Sequence, residues 1–107
     1  MMEISKSDWK KYREKIPGWQ EHYMERLVKE YITLLSSDQP ASDKFWKLEK
    51  RIKQDKKCPG VLIEMGRSSA IYDIVRLIGD EVISLDDLEE FSDDLKEAVK
   101  FIVERWR

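Results

Sequence analysis

Apolar residues recur along this chain at helical spacing, without the alternation of a half-buried strand. Met24, Leu27, Val28, Tyr31, Leu34 and Leu35 fall on one helical face, and Glu21, Glu25, Arg26, Lys29 and Glu30 occupy the rest. Upstream, Ile4-Ser5-Lys6-Ser7-Asp8-Trp9 reads as a helix start. Ser5 is placed to cap, Asp8 takes the acidic position of a capping box, and Ile4 and Trp9 suit a hydrophobic staple. A short helix is predicted from about Lys6 to Lys15. Pro17 lacks a backbone donor and disfavours helical geometry at Ile16, so a break or sharp kink is predicted there. A kinked continuous helix over residues 6–35 is the alternative.

A third helix begins near Pro40 to Asp43, with Ser42 as its candidate cap and Phe45, Leu48 and Ile52 as its core stripe. Lys56-Lys57-Cys58-Pro59-Gly60 ends it. Val61-Leu62-Ile63 has strand character, but no second strand candidate exists to pair its backbone groups. Val61 to Ile78 is therefore read as helix, interrupted around Gly66-Arg67-Ser68-Ser69. Its apolar second half is expected at the centre of the fold, with Gly79 as C-terminal cap. A second capping box, Ser84 with Asp87, and the staple pair Ile83 and Leu88 start a short helix over Leu85 to Glu90. Ser92 caps the last helix, where Leu95, Ala98, Val99, Ile102, Val103 and Trp106 keep the period. The pattern predicts an all-α single domain spanning residues 1–107, with five or six helices. Leu27, Leu34, Ile74, Ile78, Val99 and Ile102 are its expected core.

Composition narrows the class. Among 107 residues there are only four Gly and three Pro, too few for the many turns of a sandwich or barrel. No apolar run is long enough to span a membrane, and Met1 to Lys15 has no apolar signal-peptide segment. With Cys58 as the sole cysteine, no internal disulfide can form, and a cytoplasmic location is expected.

Charge is unevenly placed although the net is −2. Residues 1–57 hold 14 basic and 10 acidic side chains; residues 58–107 hold 6 basic and 12 acidic. Lys44 to Lys57 is the basic extreme and Asp80 to Glu97 the acidic one. Two solvated faces attracting each other across the fold would explain this. The sharper alternative is that one pole meets a partner. On the third helix, Lys50, Lys53 and Lys57 share the flank of Trp46, away from the Phe45 stripe, and an aromatic beside lysines suits stacking on a base or on a partner side chain. The competing reading packs Trp46 against a neighbouring helix, with lysine stems over its edge.

Catalytic patterns are weak. His22 and Glu25 are three apart, but a helical di-iron site needs two Glu-x-x-His elements and the chain has one histidine. Cys58 has basic neighbours and no base close in sequence. Gly66-Arg67-Ser68-Ser69 lacks the lysine and the glycines of a phosphate loop. Asp86-Asp87 and Asp93-Asp94 do not follow the alternation of a calcium loop. Val82 to Trp106 resembles a helix-turn-helix in general layout, but Glu89, Glu90, Asp93 and Asp94 would repel DNA phosphates from its contact end. The expectation is a non-enzymatic protein–protein interaction or regulatory domain that uses no cofactor, no metal and no membrane, with a protein partner that includes a second copy as homodimer. Trp46, Lys50, Lys53 and Lys57 are the candidate partner-binding residues. One alternative is a nucleic-acid-binding module using helix 43–57. The other is an acidic decoy that blocks a basic partner surface.

Overall fold

The computed structural model describes residues 3–106, and among these residues every regular element is helical. Four α-helices, α1 (Lys6–Leu35), α2 (Ala41–Asp55), α3 (Ala70–Gly79) and α4 (Asp93–Trp106), are joined by loops and a 3₁₀ turn at Leu85–Leu88. The all-α expectation stands, with four α-helices in place of five or six. The predicted helix over Leu85–Glu90 is only that 3₁₀ turn, and two further differences change the bounds of the helices.

First, α1 runs unbroken through Pro17. The core side of its N-terminal half carries Asp8, Tyr12 and Ile16, all buried, whereas Pro17 and Arg13 are exposed. The missing Pro17 donor frees the Arg13 carbonyl, which lies toward water, so the helix continues as one 30-residue rod. Second, Val61 to Ser69 is not helical. Val61 and Leu62 donate to the Cys58 carbonyl at 2.9 and 3.1 Å, and Arg67 donates to the Ile4 carbonyl at 3.2–3.3 Å. Turn bonds and a cross-chain contact thus satisfy part of a segment too short of continuous periodicity to hold a helix.

The core lies at one end of the molecule. α3 buries Ala70, Ile71, Ile74, Val75, Leu77 and Ile78, as its apolar sequence requires, against Leu95, Val99, Ile102 and Val103 of α4. Ile4, Ile83, Leu88 and Phe91 close it. Trp9, Tyr12, Trp19 and Phe91 form a chain of tilted rings with centroids 5.9–6.3 Å apart. Tyr12 is fully buried and its hydroxyl has no hydrogen-bond partner among the described residues. Burial, reinforced by the Asp73 charge and opposed by Arg76, pushes that hydroxyl's pKa well above its ordinary value.

The caps explain how the helices start. Ser5 Oγ accepts from the Asp8 N–H at 3.1 Å, as predicted. The buried Asp8 carboxylate turns instead to the start of α4, accepting from the Ser92 N–H at 3.0 Å and the Ser92 hydroxyl at 2.5 Å, while Ser92 Oγ accepts from the Leu95 N–H at 3.2 Å. One carboxylate thereby joins two helix N-termini, where negative charge is favoured. The Ser84–Asp87 box forms, with Asp87 accepting from the Ser84 N–H at 2.8 Å. At the end of α3, Gly79 is not the left-handed cap. That place belongs to Glu81, with φ of 59°. The Glu81 N–H bonds Ile78 O at 3.0 Å and the Val82 N–H bonds Leu77 O at 2.9 Å, the two bonds of a Schellman motif.

Beyond this head the C-terminal half of α1 and the whole of α2 project as an antiparallel hairpin. Contacts between residue pairs 20 and 59, 30 and 51, and 39 and 47 fix the antiparallel register. The arm gives the molecule extents of 52 × 28 × 21 Å and a radius of gyration of 16.5 Å. A compact chain of this length would have about 13 Å.

Candidate interaction surface

The hairpin reverses the expected burial. No residue of α2 is buried, so Phe45, Leu48 and Ile52 do not enter the core. Leu48 is half-buried against α1, while Phe45 and Ile52 are exposed. On the facing stretch of α1 only Leu27 is buried; Leu34 is half-covered, and Met24, Val28 and Leu35 are exposed with Ile32. The contact between the helices is largely polar. Tyr31 donates to the Asp55 carboxylate, and Arg51 reaches Glu30 at 2.9 Å and Asp55 at 3.5 Å while lying over the Tyr31 ring. Burial and the Asp55 carboxylate push the Tyr31 phenol up to about 12. The tip loop is held by Ser37 donating to the Leu34 carbonyl at 2.6 Å and Gln39 donating to Ser37 Oγ at 2.7 Å, with Lys47 on Gln39. Pro40, and not Ser42, stands at the N-cap of α2, and no side chain caps that helix.

Helix geometry shows what the exposed residues form. At 100° per residue, Met24, Val28, Ile32 and Leu35 make a stripe about 80° wide on α1, a quarter turn from the side that meets α2. On α2, Ile52 and Phe45 lie a quarter turn from the side that meets α1. Because the helices are antiparallel, the two stripes fall on the same side of the hairpin. They make one apolar face. The buried residues of α1 lie on its other side, so the head leaves this face open.

Trp46, Lys50 and Lys53 run along the outer surface of α2, while Lys57 lies in the turn past the helix end at Asp55, two residues short of the predicted 43–57 span; all four are exposed. The Trp46 ring is 61% exposed and meets Phe45 edge-on at 4.9 Å. It does not pack into a neighbouring helix. Lys53 pairs with Glu49 at 3.6 Å, and the cation–π contacts observed belong to arginines. The structure therefore brings three of the four candidate residues onto one accessible stripe of α2, with Trp46 against the Phe45 ring and Lys57 beyond the helix end. What periodicity alone did not reveal is that the stripe on α1 belongs to the same surface.

The acidic pole is partly neutralised within the molecule, but by α1 and not by α2. Lys11 bonds the Glu90 carbonyl, Lys15 pairs with the Glu90 carboxylate, and Arg26 bonds the Glu81 carbonyl. Lys15 holds the Glu90 carboxyl below the usual range. His22 is exposed and 3.9 Å from Glu25. Cys58 is half-buried beside Tyr23, with Asp80 3.9 Å away. Among the described residues no group of three or more His, Cys, Asp and Glu side chains is placed to hold a metal ion, and no helix is long and apolar enough to cross a membrane. No family profile, curated protein or solved structure matches the chain.

Proposed function

We propose that this chain is a non-enzymatic protein–protein interaction module whose working surface is the hairpin arm. The observation that carries this is the exposure of the arm's aliphatic and aromatic side chains, with Phe45 at 63%, Ile32 at 56% and Val28 at 51%, on a helix pair built from a chain that has an ordinary core elsewhere. Side chains of this kind gathered on one face mark a surface that is covered in use. A photo-cross-linking residue at Val28 in living cells tests the reading. The expected product is a covalent adduct to protein that survives nuclease. The absence of any adduct, with the protein folded and abundant, would overturn it.

A second reading rests on the exposed stripe of Trp46 with Lys50, Lys53 and Lys57. As a nucleic-acid contact it requires binding that falls steeply with salt and a loss of ~1–3 kcal/mol for Trp46→Ala. Glu49, paired with Lys53 on the same helix, weakens that stripe's field and places this reading second.

A further inference from the structure

The apolar face of the hairpin has a definite size, charge order and symmetry, and these select an occupant. Met24, Val28, Ile32, Leu35, Phe45 and Ile52 leave roughly 550 Å² exposed, judged from their fractional exposures. That lies at the upper end of the ~300–600 Å² of the largest patch on an ordinary monomer, a size that is often functional. It approaches the ~800 Å² that each partner contributes to a standard interface. Two flat helices side by side are also half of a four-helix bundle, the arrangement in which paired helices bury such stripes.

At the head end of the face the two flanks carry opposite charge. On α1 the outer flank nearest the head holds Glu21 and Glu25. On α2 the outer flank at that height holds Lys56, with Lys53 farther round. A membrane surface would meet Glu21, Glu25 and Glu49 at the rim of the face and would gain little from a face so bordered. A second copy turned about a two-fold axis along the hairpin sets α1 of one chain against α2 of the other. This brings Glu25 beside Lys56 of the second copy and the reverse, as an isologous contact requires.

We infer that the hairpin arm is a homodimerisation element, which closes with a second copy of this chain into a four-helix bundle in which Glu25 and Lys56 pair across the interface. The inference rests on reading the arm as an interaction surface and adds the identity of the occupant. Sedimentation of the purified full chain from low to high micromolar concentration tests it, with Ile32→Glu, Glu25→Lys, Lys56→Glu and the double exchange as variants. The wild type is expected to pass from monomer to dimer. Ile32→Glu should weaken the dimer ~30-fold or more, as expected for a residue at the centre of an interface. Each single charge reversal should weaken it several-fold and the double exchange should restore it. Circular dichroism of each variant should match the wild type, since none of the three positions is buried.

A wild type that stays monomeric throughout overturns the dimer. So does a dimer indifferent to Ile32→Glu, or a monomer that instead sediments with anionic vesicles. A double exchange that fails to rescue overturns the arrangement about the two-fold axis. These failures are distinct from failure of the interaction reading, which the Val28 adduct in cells decides: an adduct only to a different protein keeps that reading and removes the second copy.

Discussion

The head and the arm are both built of helices and bury their side chains differently. α3 and α4 set their apolar stripes against each other and against the N-terminal half of α1, and the resulting core takes in six residues of the ten in α3. α2 carries a narrow apolar stripe in a mostly charged sequence, and it buries none of its 15 residues. The difference lies in what is available to cover each face. The head has three helices and the Ile83–Phe91 segment converging on one volume, whereas the arm has two helices and nothing on its open side. An isolated helix of this length is marginal in water, so the arm depends on α1's anchorage in the head and on whatever covers its face.

The comparison is broken most severely by truncating one side chain in each region. Ile74→Ala should cost ~2–5 kcal/mol in denaturant unfolding, because Ile74 is fully buried. Phe45→Ala, measured at a concentration low enough to keep the chain monomeric, should cost less than ~1 kcal/mol. Comparable losses at the two sites would show that the arm is covered within one chain.

The joint between the regions gives the next effect. A Cβ at Gly60 would lie 2.5 Å from the Tyr23 ring and 2.8 Å from a Val82 methyl, where α1 passes closest to the loop after α2. Gly60→Ala should therefore cost ~1–3 kcal/mol by overpacking. A neutral result would mean that the arm's base is free to shift.

Sequence reading recovered the head well, and the reason is local. Ser5, Ser84 and Ser92 act at helix starts through short-range hydrogen bonds that a few residues determine, and the periodicity of α3 and α4 is dense enough to name Ile74, Ile78, Val99 and Ile102 as core. The arm was misread because periodicity reports that a helix has an apolar face and not whether the chain owns enough mass to cover it. Phe45 and Ile52 therefore looked like core residues. Periodicity put Trp46 with Lys50 and Lys53 on one flank but left open whether Trp46 packs on a neighbouring helix, and that Phe45 and Ile52 share a side with Val28 and Ile32 depends on the antiparallel pairing of two helices. Pro17's local cost favours a break, but the alternative of one continuous helix over 6–35 is the one observed, since the anchorage of Tyr12 and Ile16 in the core outweighs that cost. At residues 79–81, glycine's preference for the left-handed cap pointed to Gly79, whereas the helix runs far enough to put Glu81 there.

That last difference yields a smaller effect of opposite sign. Glu81→Gly should stabilise the head by about 1 kcal/mol, since it relieves a left-handed non-glycine residue and keeps the Schellman bonds. A loss of stability would show that the Glu81 side chain contributes more than its backbone strain removes.

The subtlest effect is a pH response of the arm. Tyr31, displaced upward to about 12 from its ordinary value near 10, favours the hairpin while it is protonated. The raised folded value means that this contribution is complete below pH ~10 and is lost as pH rises toward 12. Phenolate absorbance should show a late-titrating tyrosine that disappears in Tyr31→Phe. A titration unchanged by that substitution would remove the Tyr31–Asp55 bond from the account.

The most direct test of the arm as a surface awaiting a second copy is hydrogen exchange followed along the chain at low and high protein concentration. Protection in α3 and α4 should be high and independent of concentration, while protection over residues 24–35 and 41–55 should be weak in the monomer and rise as dimer forms. Protection of α2 equal to that of α3 at the lowest concentration, and unchanged at the highest, would contradict it.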